Sequence, residues 1–253
     1  MNTLLITEPW LARLLPRGWP LGTSTLITGP GGSGKPLIGN AVTASWLEAG
    51  GSVVFLSLQY PTYEFTAESL RRVAGVDLGD HRGRIAFVEL DAEREGMELV
   101  AQDRIRANLV DPETWRGTLQ AALDLVPGEG PGSLLFGSAL NLLLFSPTYG
   151  KRLLEEIKRT LTEGDARVVS SLFSVSSSAK KEMISELEEV ADNLLVAHSA
   201  RDPFRLFLQI QRMRGVPFDG AEIEVPFSPD MLEEVKEVAE HSRRRVIPLI
   251  SSI

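Results

Sequence analysis

The run Gly29-Pro30-Gly31-Gly32-Ser33-Gly34-Lys35-Pro36 carries the most specific chemical signal in the chain. It matches G-x-x-x-x-G-K-[ST] at every position but the last. Glycines let successive backbone N–H groups turn inward without a Cβ clash, which makes an anion nest. A helix beginning at this point adds partial positive charge, and Lys35 adds a full charge directed at the outer groups of a polyphosphate. The flanks fit this chemistry. Ser24 to Thr28 is short, largely apolar or β-branched and followed by glycine, so it reads as a buried strand. Leu37 to Glu48 has apolar residues at helical spacing and is stopped by Gly50-Gly51. The alternative is a chance glycine-rich turn before a helix, which a bare motif would not exclude.

Pro36 stands where the pattern needs Ser or Thr. The missing hydroxyl would have ligated Mg²⁺. The missing N–H would have been one of the phosphate donors. Proline also biases Lys35 away from helical backbone angles, although the first turn of a helix accepts a proline readily. The fold can therefore survive the substitution while the site loses function.

The elements that position this loop follow a simple alternation. Strand-like runs are expected at Ser52 to Leu58, Arg84 to Leu90, Ser133 to Phe136, Ala166 to Leu172 and Asn193 to Ala197. Helices are expected at Thr66 to Val73, Pro112 to Leu125, Lys151 to Thr162 and Lys180 to Val190. Val126 to Gly132 reads as a loop. Phe204 to Met213 and Ala221 to Phe227 are expected to form an antiparallel pair, followed by a last helix from Pro229 to His241. Strands alternating with helices predict an α/β fold with a mostly parallel sheet flanked by helices and an antiparallel C-terminal extension. No linker interrupts the chain, so residues 1–253 read as one domain.

Composition narrows the chemistry. With 43% hydrophobic and 24% charged residues the chain resembles an ordinary globular protein. It has no cysteine, which excludes disulfides, thiolate metal sites and cysteine nucleophiles. His81, His198 and His241 are too scattered to suggest a metal cluster. The net charge of −8 lacks the basic footprint of a nucleic-acid binder. The dense basic run, Arg243-Arg244-Arg245, reads as a solvated helix end or tail. The N-terminus has an early Glu8 and no small-residue cleavage site, and Ser133 to Pro147 falls short of the roughly 20 residues a membrane span needs. A soluble, cytoplasmic protein is expected.

Three further segments carry a family resemblance. Gly22-Thr23-Ser24 precedes the first strand, Ala191-Asp192 opens a later one, and Arg212-Met213-Arg214-Gly215 closes another. With the phosphate loop, these landmarks resemble the KaiC-like domains of the RecA superfamily from about residue 10 to 227. The resemblance implies a RecA-like fold, ATP or ADP as ligand, and assembly with copies of itself or with a paralogous subunit. It also shows what is missing. Such proteins place an acidic pair after the second strand, one Glu activating water; here Gln59-Tyr60 stands there, and an amide cannot act as the carboxylate base. They close a later apolar strand with a metal-binding Asp; here Leu134-Leu135-Phe136 ends in Gly137-Ser138. Asp91 is a rival for that carboxylate but follows a strand too early in the order. Mg²⁺ is therefore doubtful as a cofactor.

Three readings remain. The chain is a pseudo-ATPase subunit that binds nucleotide through Gly31, Gly32, Ser33, Gly34, Lys35 and Pro36 and acts through protein contacts. Or it is an ATPase that uses Ser138 or Glu89 as substitute ligands. Or it is a recombinase paralogue, which the acidic charge and the lack of a basic, aromatic-rich loop disfavour. In RecA-like rings, basic residues of the Arg212-to-Gly215 segment can reach a neighbour's nucleotide. Alternation on a strand would point Arg212 and Arg214 to one face, as a clamp or as two solvated arginines on an edge.

Overall fold

The computed structural model describes residues 2–59, 62–163, 169–201, 204–226 and 228–253, with the backbone alone for Val73, Arg201, Phe204, Pro229, Asp230, Leu232 and Glu234. The chain runs β1 (Thr3–Leu4), α1 (Pro9–Leu14), β2 (Trp19–Pro20), β3 (Ser24–Thr28), α2 (Lys35–Glu48), β4 (Ser52–Ser57), α3 (Tyr63–Ala74) and β5 (Ile85–Leu90). It continues through β6 (Met97–Ala101), β7 (Arg104–Ala107), α4 (Pro112–Asp124), β8 (Ser133–Gly137), α5 (Gly150–Thr162), β9 (Val169–Ser174) and α6 (Lys181–Val190). It ends with β10 (Asn193–Arg201), β11 (Phe204–Arg212), β12 (Ile223–Val225), α7 (Pro229–His241), a π-helical turn (Ser242–Val246) and α8 (Ile247–Ser251).

Ten strands form one sheet in the order β12-β11-β10-β3-β9-β8-β4-β5-β7-β6. From β10 to β7 every neighbouring pair is parallel. Antiparallel hairpins extend both margins. The period-2 alternation of the strands separates two cores. Leu26, Val54, Leu56, Leu135 and Phe173 pack with α4, α5 and α6 on one face. Ile27, Val53, Phe55, Leu134, Phe136 and Leu172 pack with α2 and α3 on the other. Helix α2 is buried nearly all round, from Lys35 to Leu47 except Pro36. Its polar Asn40 is met by the Ser69 hydroxyl at 3.0 Å.

The expected elements around the loop are present, with ends shifted by a few residues. Several features depart from expectation. Gln102-Asp103 joins the β6–β7 hairpin, whose first strand is exposed throughout and so has no buried face to mark it. Strand β10 runs on to Arg201 and pairs with β11 as well, so the C-terminal extension is three strands rather than two. Strand β11 stops at Arg212, so Arg212 and Arg214 do not share a strand face. The Arg214 N–H donates to Asn193 Oδ1 at 2.8 Å, Met213 is buried, and Gly215 turns the chain at φ +70°. The expected start of a strand at Ala166, the end at Phe227 and Tyr60 lie outside the described residues. No described helix is long and apolar enough to cross a membrane.

Gly39 tests the packing of α2 on the sheet. A Cβ there would sit 2.2 Å from the Phe136 ring. Helix propensity alone favours Gly39→Ala by about 1 kcal/mol. Overpacking costs about 1–3 kcal/mol. Urea denaturation is expected to show net destabilisation by Gly39→Ala, and the penalty should disappear in a Phe136→Ala background.

Candidate phosphate-loop site

Strand β3 lies between β9 and β10 and delivers the chain directly into the loop. Gly29 turns at φ +144°, where a Cβ would lie 1.9 Å from the Ala197 carbonyl oxygen of β10, so only glycine fits. Gly34 caps α2 in the left-handed region at φ +67°. The Lys35 ammonium folds back into the loop. It donates to the carbonyls of Gly29 at 2.9 Å and Pro30 at 2.7 Å and to Ser33 Oγ at 3.0 Å. Burial pulls its pKa down to about 7. The Ser33 hydroxyl donates to the Pro30 carbonyl at 2.8 Å.

The segment after β9 braces this arrangement. Ser178 Oγ accepts from the Gly31 N–H at 3.0 Å, and the Ser177 N–H donates to the Gly29 carbonyl at 3.0 Å. Ser174 Oγ accepts from the N–H of Ala139, a non-glycine residue at φ +57°. These serines escape sequence reasoning because serine after a strand usually marks only a turn.

Pro36 is the second residue of α2, a position that needs no N–H partner within the helix. Lys35 is nevertheless helical, against the bias expected before proline. Gly137 ends β8 opposite Leu56 and Phe173. A Cβ at 137 would meet Leu140 Cδ1 at 2.8 Å, Phe173 Cδ1 at 3.2 Å and Leu56 Cβ at 3.3 Å. The corner where the resemblance would place a carboxylate thus has hydrocarbon neighbours. Gln59 lines the loop cavity, and its Nε2 donates to Ser242 Oγ at 3.4 Å.

The rival carboxylates are engaged elsewhere. Glu89 pairs with Arg106 at 3.3 Å and Arg104 at 4.0 Å, and Asp91 pairs with Arg94 at 3.4 Å. Strand β5, which bears Glu89, lies four strands from β3, or about 19 Å at ~4.8 Å per strand. Ser138 is closer, and its buried hydroxyl has no partner. The oxygen-bearing side chains lining the loop cavity are Ser33, Gln59, Ser174 and Ser176, all uncharged. That set does not fit Mg²⁺, a hard cation usually held through one or two carboxylates.

The C-terminal helix supplies a wall that the sequence does not announce. Val235, Val238 and Ala239 of α7, spaced i, i+3 and i+4, face Gly31 to Leu37. The cavity left between them is about 70 Å³. Small-molecule sites run to roughly 300–1,000 Å³, so a nucleotide does not fit behind α7 as it lies. The chain beyond His241 is more than a tail: the π-helical turn leads into α8, whose Ile250 is fully buried.

Arg212 and Arg214 lie away from the loop. Arg212 donates to the carbonyls of Glu188 and Ala191, and Arg214 pairs with Asp192 at 2.7 Å. Asp192 in turn accepts from the N–H of Ser24, where β3 begins. The arginines therefore sit about 17 Å from the loop along β3, taking ~3.3 Å per strand residue.

No family model and no curated protein matches the chain. Among solved structures, it is similar to a KaiC-like protein from the hyperthermophilic archaeon Pyrococcus horikoshii OT3. The TM-score is 0.63, over 90% of this chain and 95% of that one, at 17% identity. A glycine-rich loop leaving a central parallel strand, and this likeness over nine-tenths of the length, give the chain a KaiC-like fold.

Proposed function

We propose that this protein is a nucleotide-binding pseudo-ATPase: a KaiC/RecA-like P-loop subunit that has lost hydrolysis and acts through contacts with other proteins. The carrying observation is the filled corner at Gly137, where Leu140, Phe173 and Leu56 occupy the space of a metal carboxylate. Pro36 and Gln59 complete the pattern. Each stands where the reaction would need an ion ligand or a base, and each is built into local structure instead.

ATP or ADP is the ligand the loop suits, held by its glycine N–H groups and by Lys35. When bound, the nucleotide brings a phosphate charge that repays the desolvation of the Lys35 ammonium. Helix α7 must give way for the ligand to enter. The partner in this reading is a second copy of the chain or a paralogous RecA/KaiC-like subunit. Arg212 and Arg214, at the far end of β3 from the loop, are candidates for reaching a neighbour. The competing reading, an active ATPase using substitute ligands, draws on the unpartnered Ser138 hydroxyl.

Removing one charge-stabilising group commonly costs about 10²–10³ in rate. Mg²⁺-dependent ATP turnover by the protein is therefore expected to equal that of Lys35→Ala, and Pro36→Ser alone should not restore it. Magnesium-stimulated turnover abolished by Lys35→Ala and by Ser138→Ala would establish the competing reading instead.

The Lys35 pKa gives a second expectation. Above pH 7 the empty loop loses the ammonium proton, and binding a phosphate must take it back up. Nucleotide affinity should therefore fall as pH rises through about 7, with proton uptake visible as a buffer-dependent heat in calorimetry. Affinity unchanged between about pH 6 and about pH 9 would place Lys35 outside the binding step.

A further inference from the structure

A second, larger crevice lies along α7 beside the loop cavity and shares Gly32, Val235 and Ala239 with it. It holds about 470 Å³ and is lined by Gly32 of the phosphate loop together with Val235, Lys236, Ala239, Glu240, Arg243 and Arg244. We propose that this crevice is a metal-independent site for a nucleoside polyphosphate, in which Lys236, Arg243 and Arg244 supply the charge a divalent cation would otherwise bring. The proposal rests on the nucleotide-binding reading above and adds to it an outer site that a polyphosphate can occupy while α7 still covers Lys35.

Volume separates the two cavities. At about 70 Å³ the space behind α7 is too small for a nucleotide, whereas about 470 Å³ falls within the ordinary range for a small-molecule site. Gly32 contributes to both, so a ligand in the crevice borders the anion nest without α7 being expelled. Gly32 is exposed and turns at φ +74°, as a nest residue does.

Charge points the same way. Lys236, Glu240, Arg243 and Arg244 follow one another at i, i+4, i+7 and i+8, which lays them along one stripe of the helix. Arg244 pairs with Glu240 at 2.6 Å. Among the described residues Lys236 and Arg243 make no ion pair; the Arg243 Nε donates only to the Ala239 carbonyl, at 3.3 Å. Three cations thus line the crevice beside Gly32 with Glu240 as the one carboxylate among its lining residues, in a chain of net charge −8. Both arginines lie in the π-helical turn, a local widening that recurs at functional sites. A guanidinium presents a planar fork that matches phosphate oxygens, so it can bind and neutralise them without a metal.

The test is ATP and ADP affinity of the full chain in EDTA, by calorimetry. Wild type is compared with Arg243→Ala/Arg244→Ala, Lys236→Ala and Glu240→Gln, all exposed positions whose substitution leaves the core untouched. The double arginine variant is expected to bind about tenfold more weakly or worse, with a flatter dependence on salt, and Glu240→Gln to bind more tightly. Binding in EDTA that is insensitive to all three cations would overturn the proposal. So would an absence of binding in EDTA, which would leave the loss of hydrolysis standing. Binding that appears only with Mg²⁺ would overturn this site and the metal-free reading together.

Discussion

The buried ammonium of Lys35 holds the site together. It ties the first turn of α2 to Gly29, Pro30 and Ser33, so one charge fixes the helix, the loop and the end of β3 in a single arrangement. That arrangement is costly for the charge itself, since burial draws the pKa down to about 7. Three acceptors in the loop offset the loss of water. The ammonium of the loop is thus satisfied by the loop's own acceptors. Ser178, which takes the Gly31 N–H, has the same effect from the β9–α6 segment.

Around this clasp, the positions where the KaiC-like resemblance would place metal chemistry make structural contacts. Pro36 starts a helix, Gly137 admits Leu140 and Phe173 against the end of β8, and Gln59 bonds to the C-terminal segment through Ser242. Packing sets a cost on changing them. An Asp at 137 would first have to displace Leu140, and proteins tolerate such overpacking at about 1–3 kcal/mol. Helix α7 lays Val235, Val238 and Ala239 against the loop and the first turn of α2.

Most of the sheet and the loop were legible because local chemistry dictates them. Ser24 to Thr28 is short, buried throughout and largely apolar or β-branched, while Gly29, Gly32 and Gly34 mark backbone angles that other residues avoid. Elements without a strong local pattern were missed. Strand β6 is wholly exposed, so no alternation distinguishes it. The π-helical turn and α8 depend on burying Ile250 against distant residues, which local sequence does not encode. The roles of Ser174, Ser176 and Ser178 arise only when β9 is set beside β3 and β8. Helix α7 itself was legible, but its seat over the phosphate loop is a tertiary fact. Arg212 and Arg214 were found by resemblance. Their bonds to Glu188, Ala191 and Asp192 follow from the turn at Gly215.

The central claim is that the loop keeps its affinity for phosphate apart from any affinity for metal. The most direct measurement is the linkage between Mg²⁺ and nucleotide: the dissociation constant of ATP across a Mg²⁺ titration from EDTA to saturation. The account predicts affinity that stays flat or weakens, because Mg²⁺ neutralises the phosphates and the site offers the ion no carboxylate. Tightening by about tenfold or more with Mg²⁺, equivalent to about 1.4 kcal/mol of coupling, would contradict it.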